Sequence, residues 1–467
     1  MRTREQYLAS LRERDLVLYV DGERIPDPVG HPRVRPAINS VAATYAMAED
    51  PATRALAVAR SPLIDAEINR FTHLFHEQAD LVAKLRFQRA LGRLTGTCFQ
   101  RCVGMDGINA LYIATWGREG HARYVAWLRG VQERDEMLCG AMTDPKGDRS
   151  KRPPEQADHY VRIVERRADG IVIRGAKVHQ TGAANAHQIL VMPGQGLRPG
   201  EEDFAVACAM PVDAPGVTMV LGRQPSDERK GGPDAGNATY GGQECVVLFD
   251  DVFVPSERVF LDGGVHDGDL EACTTLVEVF AGYHRASYGG CKPGNLDVLI
   301  GASDLLTREH GVRKASHVRD KLVQMTHLTE TIAGLGLAAS TQATQHESGI
   351  WMVDPVLANV CKHHVTAMPY EIVRLAEDLA GGLMATMPSI SDLEHPEIGD
   401  GLKTVVGSEK RAKLLRLVEY MSYGSGSVPL RIECMHGAGS PQAQRIVIER
   451  NTDWEAKAAE ALRLSDA

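Results

Sequence analysis

Between about residues 158 and 262 the chain runs through six short β-branched stretches, and this block limits the possible folds more than any other feature. The stretches are Tyr160-Val161-Arg162-Ile163-Val164, Ile171-Val172-Ile173, Gln188-Ile189-Leu190-Val191-Met192, Phe204-Ala205-Val206-Ala207-Cys208, Val217-Thr218-Met219-Val220 and Cys245-Val246-Val247-Leu248-Phe249. Gly, Pro and Asp turns separate them, so the block reads as a compact β unit, a barrel or a sandwich. Helical periodicity flanks it on both sides, over about 40–137 and again around 268–290, 295–310, 313–348, 354–380 and 403–424. Before that, a short helix leads into an extended Val17-Leu18-Tyr19-Val20 and an Asp21-Gly22 turn, and two prolines make 31–40 irregular. The glycine-rich run 230–237 reads as a surface loop. At 467 residues the chain has room for two or three domains. The boundaries expected are 1–140 mainly helical, 141–267 β and 268–467 helical.

Composition narrows the partners. With 52 basic and 61 acidic residues the net charge is -9, and no basic block is present, which argues against nucleic acid or an anionic membrane. A polar small molecule is the expected ligand. No run approaches the roughly 20 apolar residues of a membrane-spanning helix, and the charged N-terminus does not read as a secretion signal. Nine cysteines, an odd number, then point to reduced thiols in the cytoplasm.

Two of those thiols stand in Gly96-Thr97-Cys98-Phe99-Gln100-Arg101-Cys102, four positions apart, which in a helix is one turn on one face. His284 and Cys291 are seven apart, two helical turns, and complete a possible Cys3His set. Structural zinc sites draw on tight knuckles, which neither pair forms. Ligands on two long helices suit a larger object such as a [4Fe-4S] cluster, in which neutral imidazole in place of a thiolate raises the potential. The plain alternative is a pair of small buried hydrophobes and a core histidine. No GxGxxG fingerprint follows a strand, so a Rossmann-type site has no support.

At these residues the chain resembles the 4-hydroxyphenylacetate 3-hydroxylase flavoprotein family, which is similar in fold to acyl-CoA dehydrogenases. The resemblance runs from His31-Pro32-Arg33-Val34-Arg35-Pro36 through Cys98 to Asp106, Met142 to Arg149, His179-Gln180-Thr181-Gly182-Ala183, Phe249 to Pro255 and Ala380-Gly381-Gly382-Leu383. It ends in Met435-His436-Gly437-Ala438-Gly439-Ser440-Pro441. The middle segments look like marks of the whole family, whereas Cys98, Cys102, His284 and Cys291 look like its dehydratase branch. The resemblance implies an α+β, acyl-CoA dehydrogenase-like fold with an N-terminal helical domain, a central β-barrel and a C-terminal helical bundle. It also implies a cytoplasmic homotetramer with no membrane or nucleic-acid partner.

The activity implied is radical dehydration of 4-hydroxybutyryl-CoA to crotonyl-CoA, with vinylacetyl-CoA isomerisation alongside. FAD would lie on Met142, Thr143, Asp144, Lys146, Gly147, Asp148, Arg149, His179, Gln180, Thr181, Gly381 and Gly382. The [4Fe-4S] cluster would take Cys98, Cys102, His284 and Cys291. Catalytic roles would fall to His284, Tyr288, Lys292, Glu433, Thr181 and Gln100, with Gln100 and Arg101 facing substrate or flavin. Tyr288 would donate a hydrogen bond to an oxygen-centred intermediate, and Lys292 would hold the thioester oxygen or the leaving hydroxyl. Three rivals carry distinct signatures: a flavin-dependent aromatic monooxygenase, a dehydratase for another hydroxyacyl-CoA, and a non-catalytic zinc protein or redox sensor.

Overall fold

The β-branched stretches pair as two sheets. A computed structural model describes residues 1–145, 147–222, 233–266 and 268–465. The larger sheet has six strands in the order Glu23–Arg24, Leu18–Val20, Val217–Leu221, Glu244–Pro255, Gly170–Thr181 and Arg162–Arg167. Its spine is the antiparallel pair Gly170–Thr181 and Glu244–Pro255, which sets Thr181 opposite Glu244, with register shifts between Cys245 and Val247 and between Phe249 and Val252. The smaller sheet orders Val259–Asp262, Val206–Pro211, Gln188–Val191 and Leu138–Ala141.

The expected barrel takes a different form: among the described residues no strand pairing closes the two sheets into one cylinder. The reason lies in the smaller sheet, whose strands Leu138–Ala141, Gln188–Val191 and Val259–Asp262 are buried at every position. Strands covered on both faces read as unbroken apolar runs. Here Cys139, Ile189, Val191 and Cys208 face Met219, Val247 and Phe249 of the larger sheet, with Tyr7, Ile38 and Tyr45 closing that core. Leu138, Leu190, Ala207 and Phe260 instead join a helical core with Met105, Leu128, Leu276 and Phe280. The layers are therefore helix, sheet, sheet.

Two prolines behave differently from expectation. Pro36 does not keep its segment irregular, because it lies in the first turn of helix Arg35–Glu49, where a missing N–H costs nothing. Pro293 does not divide the helical region at 290–295 either. Helix Asp269–Glu309 runs through it for 41 residues, packed against helices on both sides. The Asp21-Gly22 turn forms as the spacing predicts, with both residues at positive φ between Leu18–Val20 and Glu23–Arg24. Of the loop 230–237, residues 230–232 lie outside the described residues, and a 3-10 turn spans Pro233–Ala235. Among the described residues no helix is long and apolar enough to cross a membrane.

Candidate active site

Helix Gln78–Thr95 stops at Gly96, which takes the left-handed conformation (φ 63°). The chain then passes Cys98, turns at Gln100 (φ 64°) and enters helix Cys102–Thr115 at Cys102. The two thiols thus do not share one helical face, because Gly96 and Gln100 hold a connection between two helices there. The residues between the thiols anchor that connection. Gln100 is buried, and its amide donates to the carbonyls of Ala37 at 3.0 Å and Gly241 at 3.1 Å and accepts from Asn185 at 3.0 Å. The Arg101 guanidinium sits over the rings of Tyr45 and Phe71, 4.6 and 4.9 Å from their centroids, and donates to Thr44 Oγ1 at 2.9 Å. Scaffold bonds take both polar atoms of the Gln100 amide, and Arg101 is buried between the two rings. A non-glycine residue in left-handed backbone costs about 1–2 kcal/mol, and the three amide bonds offset it at Gln100.

Cys291 and His284 project from helix Asp269–Glu309, which crosses helix Gln78–Thr95 at two glycines. A Cβ on Gly92 would lie 2.8 Å from the Cys291 carbonyl oxygen and 2.9 Å from Gly294 Cα. That closeness brings Cys291 to the first two thiols. Cys102 is buried and Cys98 and Cys291 half-buried, and all three are free. Burial drives each thiol above its usual pKa, and the charge of Cys291 adds to the rise at both Cys98 and Cys102. Gln88, wholly buried, donates an N–H to Cys102 Sγ at 3.2 Å. Among the described residues no three His, Cys, Asp or Glu side chains close on a single metal ion.

His284 is held on its inner side. Its Nδ1 lies 2.8 Å from Asp106 Oδ2, which also accepts from Ser287 Oγ at 3.0 Å, while the Lys84 ammonium binds Asp106 Oδ1. Asp106 is fully buried, yet its carboxyl is held below the usual range because Lys84 and His284 together outweigh burial. The imidazole stacks on Phe280 and meets the edge of Tyr288, each 5.5 Å between centroids. Asp106 was not singled out from the sequence. It had a signal, being the only charged residue in the otherwise apolar helix Cys102–Thr115.

On the other side of the thiols lies a cluster of acids and bases. Lys292 Nζ donates to Glu433 Oε2 at 2.7 Å, and Tyr288 Oη donates to the Glu433 carbonyl at 3.2 Å. Burial would lower the Lys292 pKa, but Glu433 together with Cys291, Cys434 and Tyr288 holds it above the usual range. Thr181 Oγ1 donates to Glu244 Oε2 at 2.7 Å, and Glu244 Oε1 is buried without a partner. Burial first and then the Glu433 charge push the Glu244 carboxyl well above its usual range. The charges of Glu433, Lys292 and Glu244 all reach Cys98. Thr181, Tyr288, Lys292 and Glu433 are therefore gathered around the thiols, and Glu244 joins them unannounced. Only its pairing opposite Thr181 reveals it, and strand register is invisible in one sequence.

The proposed flavin segment is mixed. Thr143 accepts from Val178 N at 2.9 Å, which ties 142–144 to the strand leading to His179, Gln180 and Thr181. Asp144 forms an ion pair with buried Lys177 at 2.7 Å, and Lys177 also donates to the carbonyls of Met142 and Met192. The Gln180 amide likewise donates to the Val178 carbonyl. Asp144 and Gln180 thus serve the fold here, while Met142 and Thr143 are half-buried and Gly147, Asp148, Arg149 and His179 are exposed. Lys146 lies outside the described residues. Gly381 and Gly382 sit exposed after helix Met368–Ala380, next to the turn Gly382–Thr386.

Comparison with known proteins agrees with this arrangement. The N-terminal region of the 4-hydroxyphenylacetate 3-hydroxylase family matches residues 3–261 and its C-terminal region residues 273–466. The 4-hydroxybutyryl-CoA dehydratase/vinylacetyl-CoA-Delta-isomerase of Clostridium aminobutyricum is 46% identical, with 97% of each chain covered. The structure of an oxygen-tolerant archaeal 4-hydroxybutyryl-CoA dehydratase from N. maritimus superposes with a TM-score of 0.96 at 46% identity, covering 100% of this chain and 95% of that one. The oxygenase component of 4-hydroxyphenylacetate 3-monooxygenase, solved with FAD, gives 0.86 at 22% identity, covering 100% and 99%. Butyryl-CoA dehydrogenase from Megasphaera elsdenii gives 0.51 at 14% identity, covering 79% and 81%, a likeness of fold alone that makes the architecture acyl-CoA dehydrogenase-like. On these matches the chain belongs to the 4-hydroxyphenylacetate 3-hydroxylase family, on its 4-hydroxybutyryl-CoA dehydratase branch.

Proposed function

We propose that this chain is a 4-hydroxybutyryl-CoA dehydratase with vinylacetyl-CoA isomerase activity, using FAD and a [4Fe-4S] cluster. The carrying observation is the gathering of Cys98, Cys102 and Cys291 beside Lys292, Glu433 and Glu244, with His284 two turns before Cys291 on the same helix and bonded to Asp106, whose charge reaches Cys102. The donor set fits a cluster. Free thiols crowded together and pushed up in pKa gain most from a cationic guest that takes them as thiolates. Donors drawn from helix Asp269–Glu309 and from the connection into helix Cys102–Thr115, rather than from tight knuckles, suit a larger object better than zinc. For FAD, Met142 and Thr143 are half-buried and His179 is exposed on the strand that leads to Thr181. The relative solved with FAD supports the same assignment.

When bound, the two groups supply a Lewis-acidic iron for a hydroxyl and a one-electron acceptor. The protein's own residues do the rest. Lys292, kept as an ammonium by Glu433 and the neighbouring Cys291, Cys434 and Tyr288 together, offers a positive charge to the thioester oxygen or the departing hydroxyl. Glu244, kept protonated, has an oxygen free of hydrogen bonds and donates the proton that a departing hydroxyl needs. Two residues stand for the C3 proton: Glu433, whose Oε2 holds Lys292, with His284 remaining a ligand, or His284 itself on release from the cluster. Tyr288 braces the wall through the Glu433 carbonyl. The homotetramer, the cytoplasmic location and the division at 140 and 267 belong to this proposal as well.

Anaerobic purification followed by iron, sulfide and flavin analysis tests it, together with turnover of 4-hydroxybutyryl-CoA. The expected result is about four irons and about one FAD per chain, with crotonyl-CoA as product. Stoichiometric flavin without iron or sulfide, and phenol-dependent oxygen uptake, overturns it.

A further inference from the structure

Resting on that reading, we infer that Asp106 is the positioning residue that fixes His284 as the Nδ1–H tautomer and so leaves Nε2 as the nitrogen that meets the cluster. The geometry is specific. Asp106 Oδ2 faces His284 Nδ1 at 2.8 Å and Ser287 Oγ at 3.0 Å, while Oδ1 is taken by Lys84. A carboxylate can only accept, so the proton of the His284–Asp106 bond resides on Nδ1. The imidazole cannot turn over to exchange its nitrogens without leaving Phe280, against which it stacks with an interplanar angle of 17°. A metal-bound histidine whose second nitrogen donates to a buried carboxylate is oriented and made more basic by it.

Lys84 gives the arrangement its second half. It is itself buried and also donates to the Tyr283 carbonyl at 3.2 Å, one residue before His284. The pair Lys84 and Asp106 ties helices Gln78–Thr95, Cys102–Thr115 and Asp269–Glu309 at one point. In Asp106→Asn the ammonium of Lys84 claims the amide oxygen, which turns the amide N–H2 toward His284. Nδ1 must then accept, the proton moves to Nε2, and the nitrogen left for the cluster loses its lone pair. In the double variant Lys84→Met/Asp106→Asn nothing fixes the amide, so its oxygen can turn back to Nδ1–H. This variant also carries no unpaired buried charge, which keeps it foldable if Asp106→Asn alone is not.

The test uses anaerobically purified full-length protein and reads iron, sulfide and flavin content, the imidazole-nitrogen coupling of the reduced cluster by pulsed electron paramagnetic resonance, and turnover. The wild type should show the nitrogen coupling. Asp106→Asn should keep its iron and flavin but lose or shrink that coupling, with turnover down about 10- to 100-fold. The double variant should recover the coupling. Unchanged coupling and turnover in Asp106→Asn, or a double variant no better than His284→Ala, overturns the inference and leaves the cluster reading intact. A wild type without iron overturns both.

Discussion

Lys362 shows how much a single buried charge decides in this fold. It is fully buried, its Nζ donates to the Cys434 carbonyl at 2.5 Å, and it lies 4.7 Å from the Tyr288 ring centroid. Burial, with little from its neighbours to counter it, lowers its pKa from 10.5 to about 8. The unfolded chain therefore holds this proton more tightly than the native one between about pH 8 and 10.5, so native stability rises with pH over that window and is lowest below it. Urea denaturation of wild type and Lys362→Met should show the gap between them shifting in favour of wild type by up to about 3 kcal/mol from pH 8 to 10.5. A gap that does not move with pH refutes the assignment. Lys177 is the opposite case, a buried ammonium with a carboxylate at 2.7 Å and two carbonyls. Lys177→Met strands Asp144 and should cost about 3–5 kcal/mol in the same experiment. Residues like these mark what one sequence conceals. The spacing of His284 and Cys291 places both on one helix, as observed. The partners Asp106, Lys84 and Glu244 come from other elements, and nothing local records that Lys84 will find Asp106 or that Thr181 will face Glu244.

At the level of elements, the site depends on how closely helices Gln78–Thr95 and Asp269–Glu309 approach. A Cβ on Gly294 would sit 2.4 Å from the Arg89 carbonyl and 2.9 Å from Gly92 Cα, and one on Gly290 would press on Gln88 and the Leu85 carbonyl at 2.8 Å. Gly294→Ala must push the helices apart, and Cys291 moves with them. Overpacking of this kind typically costs about 1–3 kcal/mol. Iron content should fall in Gly294→Ala while flavin stays bound, because the strip at 142–144 lies on other elements. Iron kept at the wild-type level refutes the prediction. The glycines were visible as letters, but the expected break at 290–295 hid their purpose. The helical segments read from the sequence stop at 290 and resume at 295, and tertiary packing on both sides carries the helix through Pro293.

Over the whole molecule, the order helix, strand, helix was legible because each periodicity is local. The layering was not, since it depends on which strands pair over long separations. The helical core draws Phe99 and Met105 from before the smaller sheet, Leu190 and Ala207 from within it, and Leu276, Tyr283, Ala339 and Val353 from after it. A chain ending at residue 262 loses that last contribution and leaves the helical face of the smaller sheet only partly covered. It should therefore show no cooperative thermal unfolding, whereas the full chain unfolds with a sharp transition by circular dichroism. A cooperative transition in the short chain refutes this. The crossing at Gly92 and Gly294 has a consequence for biogenesis. The whole smaller sheet and four strands of the larger one lie between the two helices in the chain, so the ribosome delivers Cys98 and Cys102 long before Cys291 exists to join them. Maturation of the thiol site is therefore a late event: a nascent chain carries an unmatched dithiol, and whatever the site holds is inserted into an almost finished protein.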